Sequence, residues 1–340
     1  MAQRVLIGDY SGRLVGEIEP DLGVVTWRLN QAASVKFTLS KKDIKTKEDL
    51  LRYGNRVLIQ FDNGLPSWGG VIETPRTWND ATVEITAYSA DQILKTRITD
   101  RGRYFSDASV GYIFEQVISE ANQQEYTGIL LGSIYYGGQT HSPEYHFERV
   151  SDIIQDSICQ RLADVDYDII GSLVNGIIVF TANLYSQRGV DRANVALLEG
   201  HNLAAIKLVE QGEIVNWWDC AGSGTGWGND NRIYSRSQDD VSHGRYGLRQ
   251  AAKITNDVTV QATLNAHADN LLLESKDPHT MLELEAVDLA PAEFGDYDVG
   301  DTVRVILYSY GFDGFDGMVR VEGREYDPAK GTCRLAVRTV

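Results

Sequence analysis

The chain has 340 residues and a formal net charge of −16, with 24% charged and 43% hydrophobic residues. This composition excludes a disordered or fibrous chain, and the length indicates two or three domains. Such acidity argues against binding to nucleic acid or to an anionic membrane surface, since both need clustered lysine and arginine.

The cysteines and the apolar runs give the next constraints. Cys159, Cys220 and Cys333 are odd in number and far apart, which favours neither a disulfide framework nor a metal site. We therefore expect maturation in a reducing cytoplasm. No stretch approaches the roughly 18 apolar residues of a membrane helix, and the N-terminus lacks the apolar core of a signal peptide. We expect no membrane anchor.

Residues 1–97 alternate in the manner of short strands between turns. Val57, Ile59 and Phe61 fall on one face of a strand. A turn follows at 62–66, and a later strand returns through 81–88. The pattern predicts a β domain over 1–97, built as an antiparallel sheet or barrel.

The period changes to a helical one between residues 98 and 195. Ser109 is a suitable N-cap for a first helix, and a second begins near Ser151. Two strands at 167–170 and 176–181 follow, so this segment is predicted to be an α+β domain. The apolar positions that support the two helices are Val110, Ile113, Phe114, Val117 and Ile118, then Ile153, Ile154, Ile158 and Leu162.

Strands resume at 204–209 and 213–218 and continue to the C-terminus. One amphipathic helix is predicted at about 258–275, ended by Pro278. We assign 196–340 to a second β domain with a helical insertion at about 253–292. The predicted fold class is therefore β-rich α+β, with two antiparallel β domains flanking an α+β domain.

The charge follows these boundaries. Basic and acidic residues number 13 and 12 in 1–97, 6 and 13 in 98–195, and 13 and 23 in 196–340, which gives nets of +1, −7 and −10. The uneven distribution favours separate modules with different surroundings, although chance variation among surface residues is an equal alternative.

The last β segment resembles the first. Gly54-Asn55-Arg56-Val57 aligns with Gly300-Asp301-Thr302-Val303, Gly70 with Gly317, and the strand from Thr82 with the strand from Thr332. Two copies of one β domain explain the match, and a general likeness between three-stranded meanders is the alternative. Duplication would let three chains present six similar surfaces to a sixfold ring.

Three local patterns suggest ligand chemistry, but each is incomplete. The run Gly222–Gly228 has a glycine spacing similar to that of a phosphate loop, yet no helical period follows it, so we predict a hairpin loop. His141, Glu144 and His146 lack a further metal ligand elsewhere.

Acidic residues near the C-terminus also fall short of a calcium site. Asp296, Asp298 and Asp301 and the run Gly311–Gly317 lack the ligand series of a calcium loop. We predict no cofactor, no metal and no catalytic residue.

Exposed aromatics are the remaining candidates for contact. Trp217, Trp218 and Trp227 cluster near one loop, and Phe312 and Phe315 occupy a long hairpin tip. They indicate contact loops, and the tryptophans also fit a sugar platform. A carbohydrate- or receptor-binding module is therefore an alternative function. A glycan-degrading enzyme is a weaker one, because nucleophile and metalloprotease motifs are missing.

The order of the elements resembles the baseplate hub or tail-associated minor tail proteins of long-tailed bacteriophages. No single motif is specific, and the likeness depends on order and spacing over nearly the whole chain. The segments that carry it are Gly54–Val57, Trp68–Ile72, Tyr88–Asp91 with Leu94, Ser242–Arg249, the helix with Ala262, Ala266, Leu271 and Leu272, and Tyr297–Val303.

This resemblance implies a non-enzymatic protein of the virion tail tip, made in the host cytoplasm. It implies tail-tube-like β domains and a homotrimer that adapts a sixfold tail tube to a threefold tip. The implied partners are the tail tube, the distal tail ring and a fibre or spike. DNA would pass through the lumen without specific binding, since a negative wall repels it.

Overall fold

The structure is a computed structural model that describes residues 3–43, 48–211, 214–224, 231–256, 258–277, 279–309 and 314–340. The chain divides into a first β unit, a middle α+β module and a second β unit that carries an insertion. No helix in the described residues is long and apolar enough to cross a membrane.

The first β unit has a 3₁₀ turn at Glu48–Leu51 and a sheet in the order β3-β4-β7-β6-β5-β1-β2. Alternation of apolar and polar residues explains why these segments form a half-buried sheet, since Val35, Phe37 and Leu39 are all buried on one face of their strand. The strands are β1 (Gln3–Gly8), β2 (Leu14–Ile18), β3 (Asp21–Arg28), β4 (Ser34–Ser40), β5 (Arg56–Phe61), β6 (Trp68–Trp78) and β7 (Thr82–Ser89).

The α+β module packs its helices on a small sheet in the order β10-β14-β13. Ser109 Oγ accepts the Tyr112 N–H at 3.2 Å, so the predicted N-cap is confirmed. The second predicted helix is also present, but its longer part is a π-helix, Ile153–Leu162. The other elements are α1 (Asp91–Lys95), β8 (Arg103–Tyr104), β9 (Ala108–Ser109), α2 (Val110–Gln124), β10 (Ile129–Ile134), β11 (Thr140–His141), β12 (Glu144–Tyr145), α3 (Val150–Asp152), β13 (Asp166–Val174) and β14 (Ile177–Tyr185).

The second β unit has the order β15-β21-β22-β23-β20-β16, and its core includes Val303, Val319, Val321, Leu335 and Val337. Its strands are β15 (Asp191–Leu198), β16 (Leu203–Gln211), β20 (His279–Val287), β21 (Thr302–Leu307), β22 (Phe315–Asp327) and β23 (Thr332–Thr339). The insertion contains β17 (Trp217–Ala221), β18 (Tyr234–Gln238), α4 (Asp240–Tyr246), β19 (Gln250–Ile254) and α5 (Gln261–Ser275).

The module boundaries differ from those drawn on the sequence. β15 begins at Asp191 and pairs with β21, so the predicted boundary at 195 falls inside a strand of the second β unit. The insertion is also longer than 253–292 suggested, because β17, β18 and β19 form a sheet of their own between β16 and β20. Strand patterning alone does not reveal which sheet a strand joins.

The two β units share one sheet. β3 of the first unit pairs antiparallel with the second half of β22, which gives a 13-stranded sheet in the described residues. The expected barrels are not closed there, since the path ends at β2 and at β16. Among the described residues, a single bridge between Glu199, which follows β15, and Leu203 of β16 links the ends of these two strands.

The structure supports the internal repeat at the level of hydrogen bonds. Gly54 N–H donates to Ile72 O at 3.0 Å, and Ile72 N–H donates to Asn55 O at 2.9 Å. In the second unit the same two bonds join Gly300, Asp301 and Val321, at 2.7 and 2.9 Å.

The aligned glycines have φ values of 77° and 95°, a region that disfavours other residues. The middle strands align differently from the sequence match. The shared bonds make Ile72 equivalent to Val321. Gly70 pairs with Val57, and Val319 pairs with Val303, so Gly70 is equivalent to Val319. Gly70 therefore does not match Gly317, and the two-residue difference keeps the same face of the strand inward.

Candidate functional site

The candidate contact residues Trp217 and Trp218 lie on opposite faces of the insertion sheet, because they are consecutive in β17. Trp218 Nε1 donates to Ser275 Oγ at 2.9 Å and faces α5. Trp217 lies on the open face, with the Arg236 guanidinium 4.5 Å from its ring centroid. The two rings therefore cannot form one sugar platform, and Trp227 lies outside the described residues.

Phe315 begins β22 opposite Leu307 and packs, partly buried, against the core of the second β unit. It therefore contributes to folding as well as lying near the hairpin tip. Phe312 lies outside the described residues.

The open face of the insertion sheet borders a groove of about 500 Å³. Tyr234 and Ile254 contribute exposed apolar surface there, and Asp219 pairs with Arg236 at 2.7 Å. Its size suits a small ligand or a peptide side chain.

The described part of the glycine-rich run, Gly222–Gly224, does not have the geometry of a phosphate loop. Arg232 donates to the carbonyl oxygens of Gly222 and Gly224 at 2.9 and 2.7 Å. This part of the run therefore presents carbonyl groups, whereas a phosphate loop presents N–H groups. The run connects β17 to β18, in agreement with the predicted hairpin, and 225–230 lie outside the described residues.

The two histidines considered as metal ligands lie in different environments. His146 contacts Glu144 at 2.5 Å and the Arg101 carbonyl oxygen at 2.9 Å, and the latter contact raises the pKa of His146. His141 is buried, and burial lowers its pKa. In the parts of the chain that the structure describes, no three metal-ligating side chains are close enough to share an ion.

Two of the acidic residues considered for calcium are bound to arginine. Asp298 accepts Arg188 Nη2 at 3.0 Å, and Asp301 accepts Arg192 Nε at 3.1 Å. Asp296 accepts the Glu293 N–H at 3.0 Å. These contacts make the carboxylates structural.

The most developed polar feature is a buried ion network where the three modules meet, which we call the joint network. Asp166 at the start of β13 binds the Arg320 guanidinium of β22 and accepts the Arg188 N–H at 2.7 Å. Its other oxygen accepts Asn30 Nδ2 from the first β unit at 2.9 Å. One carboxylate therefore contacts both β units and the linker between modules.

Arg188 extends the joint network. Its Nε donates to Asp168 at 2.8 Å, its Nη2 to Asp298, and its Nη1 to the Val299 carbonyl oxygen. Burial opposes the charge, but the carboxylates of Asp298 and Asp168 raise the pKa of Arg188 overall. This guanidinium therefore stays charged while it connects the α+β module to the second β unit.

A similar contact joins the first β unit to the α+β module. Arg56, 1% exposed, donates to Ile178 O at 2.8 Å and to Thr127 O at 3.1 Å. Its guanidinium lies 5.4 Å from the Phe180 ring centroid. The arginine satisfies carbonyl groups of a neighbouring module, as buried polar groups require.

A cavity of about 120 Å³ lies beside the joint network and is lined in part by Asp91 and Asp168. Asp91 accepts the hydroxyls of Ser89 and Tyr167, each at 2.6 Å, and burial raises the pKa of Asp91. Ligand clefts start at about 300 Å³. The cavity between Asp91 and Asp168 is therefore smaller than a typical ligand cleft.

The sequence analysis missed the residues of the joint network. Asp166, Arg188 and Arg320 are separated by 22 to 154 residues and follow no motif. Arg56 was noted only as part of a strand. The available signal is that Arg320 stands between Val319 and Val321 and that Arg56 opens the apolar run Val57–Ile59, where a charge needs a partner.

Comparisons with known proteins identify the fold. No protein-family model and no curated protein matches the sequence. Among solved structures, the 43 kDa tail protein of prophage MuSo2 from Shewanella oneidensis has a TM-score of 0.64 at 12% identity, over 99% of this chain and 98% of that one.

Two further solved structures agree. The tail protein from Neisseria meningitidis has a TM-score of 0.63 at 12% identity, over 100% and 97% of the two chains. Prophage tail protein gp18 from Listeria monocytogenes has a TM-score of 0.62 at 14% identity, over 98% and 94%. The chain therefore has, over its whole length, the fold of these phage tail proteins.

Proposed function

We propose that this chain is a structural protein of a phage-type tail and forms the hub of the tail tip in the virion. Three copies would form a ring of six β units that continues a sixfold tube and meets a threefold tip. The ring would contact the tube and other tail-tip proteins, and its lumen would let DNA pass during ejection.

The observation that carries the proposal is the duplication of the β unit within one sheet. Gly54 and Gly300 make the same hydrogen bonds in their own units, and β3 and β22 join the units side by side. Two equivalent units per chain turn a threefold assembly into one with six similar faces. The fold shared with tail proteins supports the same interpretation.

The joint network supports a geometric role. An adaptor must hold its two β units at a fixed angle, and Arg188, Asp166 and Arg320 connect them through the middle module. Because Asp166 and Arg320 are buried and the Arg188 side chain is only 18% exposed, their charges are poorly screened and the arrangement resists bending.

The net negative charge fits the proposed passage of DNA through the lumen. Three chains carry 3 × (−16) = −48 formal charges. An acidic wall would repel DNA and keep it from adhering during passage.

Native mass spectrometry and electron microscopy test the proposal together. We expect a mass of three chains and a ring with six similar lobes around a channel. A chain that stays monomeric at every concentration, with no affinity for tail-tube subunits, would contradict it.

A carbohydrate- or receptor-binding role is the second candidate, and the groove on the open face favours it, because its lining residues Asp219 and Arg236 both contact Trp217. Glycan binding that is lost in Trp217→Ala but kept in Trp218→Phe would support this role. The pair is matched, because only Trp217 lies on the open face.

A further inference from the structure

The junction between the two β units inside the chain shows how one unit binds the next. Thr26 of β3 lies opposite Glu325 of β22, and Val25 lies opposite Tyr326. Leu29 N–H donates to Glu322 O at 2.9 Å at the end of the pairing. The junction is therefore a backbone ladder between the edge of one unit and the middle strand of the other.

Side chains of the first unit cover Tyr326 at this junction. The Phe61 ring lies 5.9 Å from Tyr326 and 5.7 Å from Trp27, and Leu65 reaches into the core of the second unit. Gly64 approaches so closely that a Cβ there would lie 2.8 Å from Gly295 Cα. As a result Tyr326 is 1% exposed.

The repeat assigns Trp78 to the position of Tyr326. Trp78 pairs with Val83 of β7, and Tyr326 pairs with Cys333 of β23. Val83 and Cys333 are equivalent and both fully buried. Trp78, however, is 50% exposed. Within the described strands, β5 pairs with β6 only from Trp68 to Val71, so the edge beside Trp78 is open.

The same repeat makes β16 the equivalent of β3. β3 is followed in the sheet by β4 and β7, and β16 by β20 and β23. Apart from the bridge at Leu203, β16 pairs with no second strand of the described chain. The counterpart of the Phe61 hairpin end is the end of β21, where Tyr308 is 74% exposed.

We propose, resting on the assembly under Proposed function, that these two open surfaces meet between copies. β16 and the end of β21 beside Tyr308 of one copy cover Trp78 of the next copy, as β3 and the end of β5 at Phe61 cover Tyr326 within the chain. The contact is head-to-tail, and a rotation of 120° between copies would close it into a ring of three.

The repeat also sets the register between copies. Thr77 pairs with Glu84 as Glu325 pairs with Arg334, so Thr77 takes the position of Glu325. Leu208 pairs with Leu282 as Val25 pairs with Val35, so Val209 takes the position of Thr26. Val209 of one copy is therefore opposite Thr77 of the next. Pairing starts after the irregular segment of β6 between Glu73 and Thr77.

Disulfide cross-linking tests this register. Counting from the Leu29–Glu322 bond, the pair equivalent to Thr77 and Val209 is not hydrogen-bonded, so its Cα atoms are about 4.5 Å apart. That distance suits a disulfide, and the native cysteines are buried. We expect the double variant Thr77→Cys, Val209→Cys to give a cross-linked trimer on oxidation, with no larger cross-linked species on a non-reducing gel.

The single variants serve as controls. Mixed together they should give cross-linked dimers at most, because each chain then has a single engineered cysteine and can form one disulfide. Cross-linking of either single variant alone would indicate a twofold contact and overturn the proposal. A native trimer that the double variant does not cross-link would overturn the junction while leaving the proposed function in place. A persistent monomer would overturn both.

A surface variant gives an independent measurement. Trp78→Glu should abolish the trimer in native mass spectrometry, with circular dichroism unchanged because the side chain is half-exposed. Tyr10→Glu, at a 73% exposed aromatic elsewhere, is the matched control and should leave the trimer intact. Equal behaviour of the two variants would count against the junction.

Discussion

Removing the carboxylate at the centre of the joint network should destabilise the protein more than any surface charge does. Asp166→Ala leaves the Arg320 guanidinium, 9% exposed, with the carbonyl oxygens of Gly300 and Arg188 but without its carboxylate. The variant also removes acceptors from Asn30 and the Arg188 N–H. Breaking a buried ion pair on one side costs about 3–5 kcal/mol, because the remaining charge stays buried. We expect a loss of unfolding free energy in that range.

The exposed pair between Arg304 and Asp316 is the matched control. It has two hydrogen bonds of 2.7 and 2.8 Å, but its side chains are 48% and 53% exposed. Asp316→Ala should cost less than about 1 kcal/mol. Urea unfolding followed by tryptophan fluorescence and near-ultraviolet circular dichroism measures both. If the two variants lost the same free energy, the joint network would not hold the modules together.

Three further predictions follow from single sites. Gly54→Ala should lower the unfolding free energy by about 1–2 kcal/mol from its positive φ alone. Gly300→Ala should lower it further, because the added Cβ would lie 2.8 Å from Arg188 O. Equal losses for the two variants in urea unfolding would contradict this expectation. Burial raises the pKa of Asp91 in the folded state, so its contribution to stability is complete below the unfolded pKa and is lost as the pH rises through the folded pKa. The unfolding free energy of Asp91→Asn should therefore rise relative to that of the unmodified protein as the pH is raised. A difference in unfolding free energy that does not change with pH would refute a raised pKa for Asp91. Leu264→Ala, at a fully buried position of α5, should cost about 2–5 kcal/mol and reduce hydrogen-exchange protection in β17–β19 but not in β20–β23.

The elements that local rules determine were predicted well from the sequence. α2 begins after Ser109 and buries Ile113, Phe114 and Val117, as its cap and spacing indicate. The short helix α4 was missed although Asp239 accepts the Ser242 N–H at 2.8 Å, because seven residues give too short a period to recognise.

The associations between distant segments were not predictable in this way. Nothing in the residues of β15 and β17 marks the sheet that each strand joins, yet β15 joins the second β unit and β17 joins an insertion sheet. The buried arginines depend on acceptors in other modules, such as Ile178 O for Arg56. A charge in an apolar strand shows that a partner exists without showing where it is.

The repeat occupies an intermediate position, since the sequence revealed the copies but misaligned their middle strands. Gly70 and Gly317 matched as letters, whereas the hydrogen bonds at Gly54 and Gly300 make Ile72 equivalent to Val321. The longer hairpin between β21 and β22 absorbs the difference. Backbone pairing therefore defines equivalence here more strictly than residue identity, and the register proposed between copies depends on that definition.

Covalent linkage of the two β units has a consequence for symmetry. The junction inside the chain is reinforced by Asp166 and Arg188, which belong to the middle module and its linker. The proposed junction between copies has no such module across it and depends on the Trp78 surface. Six similar units would thus be joined by two alternating kinds of contact, one permanent and one reversible. A ring of that kind is threefold by construction even where its units look sixfold, which is the property that an adaptor between the two symmetries requires.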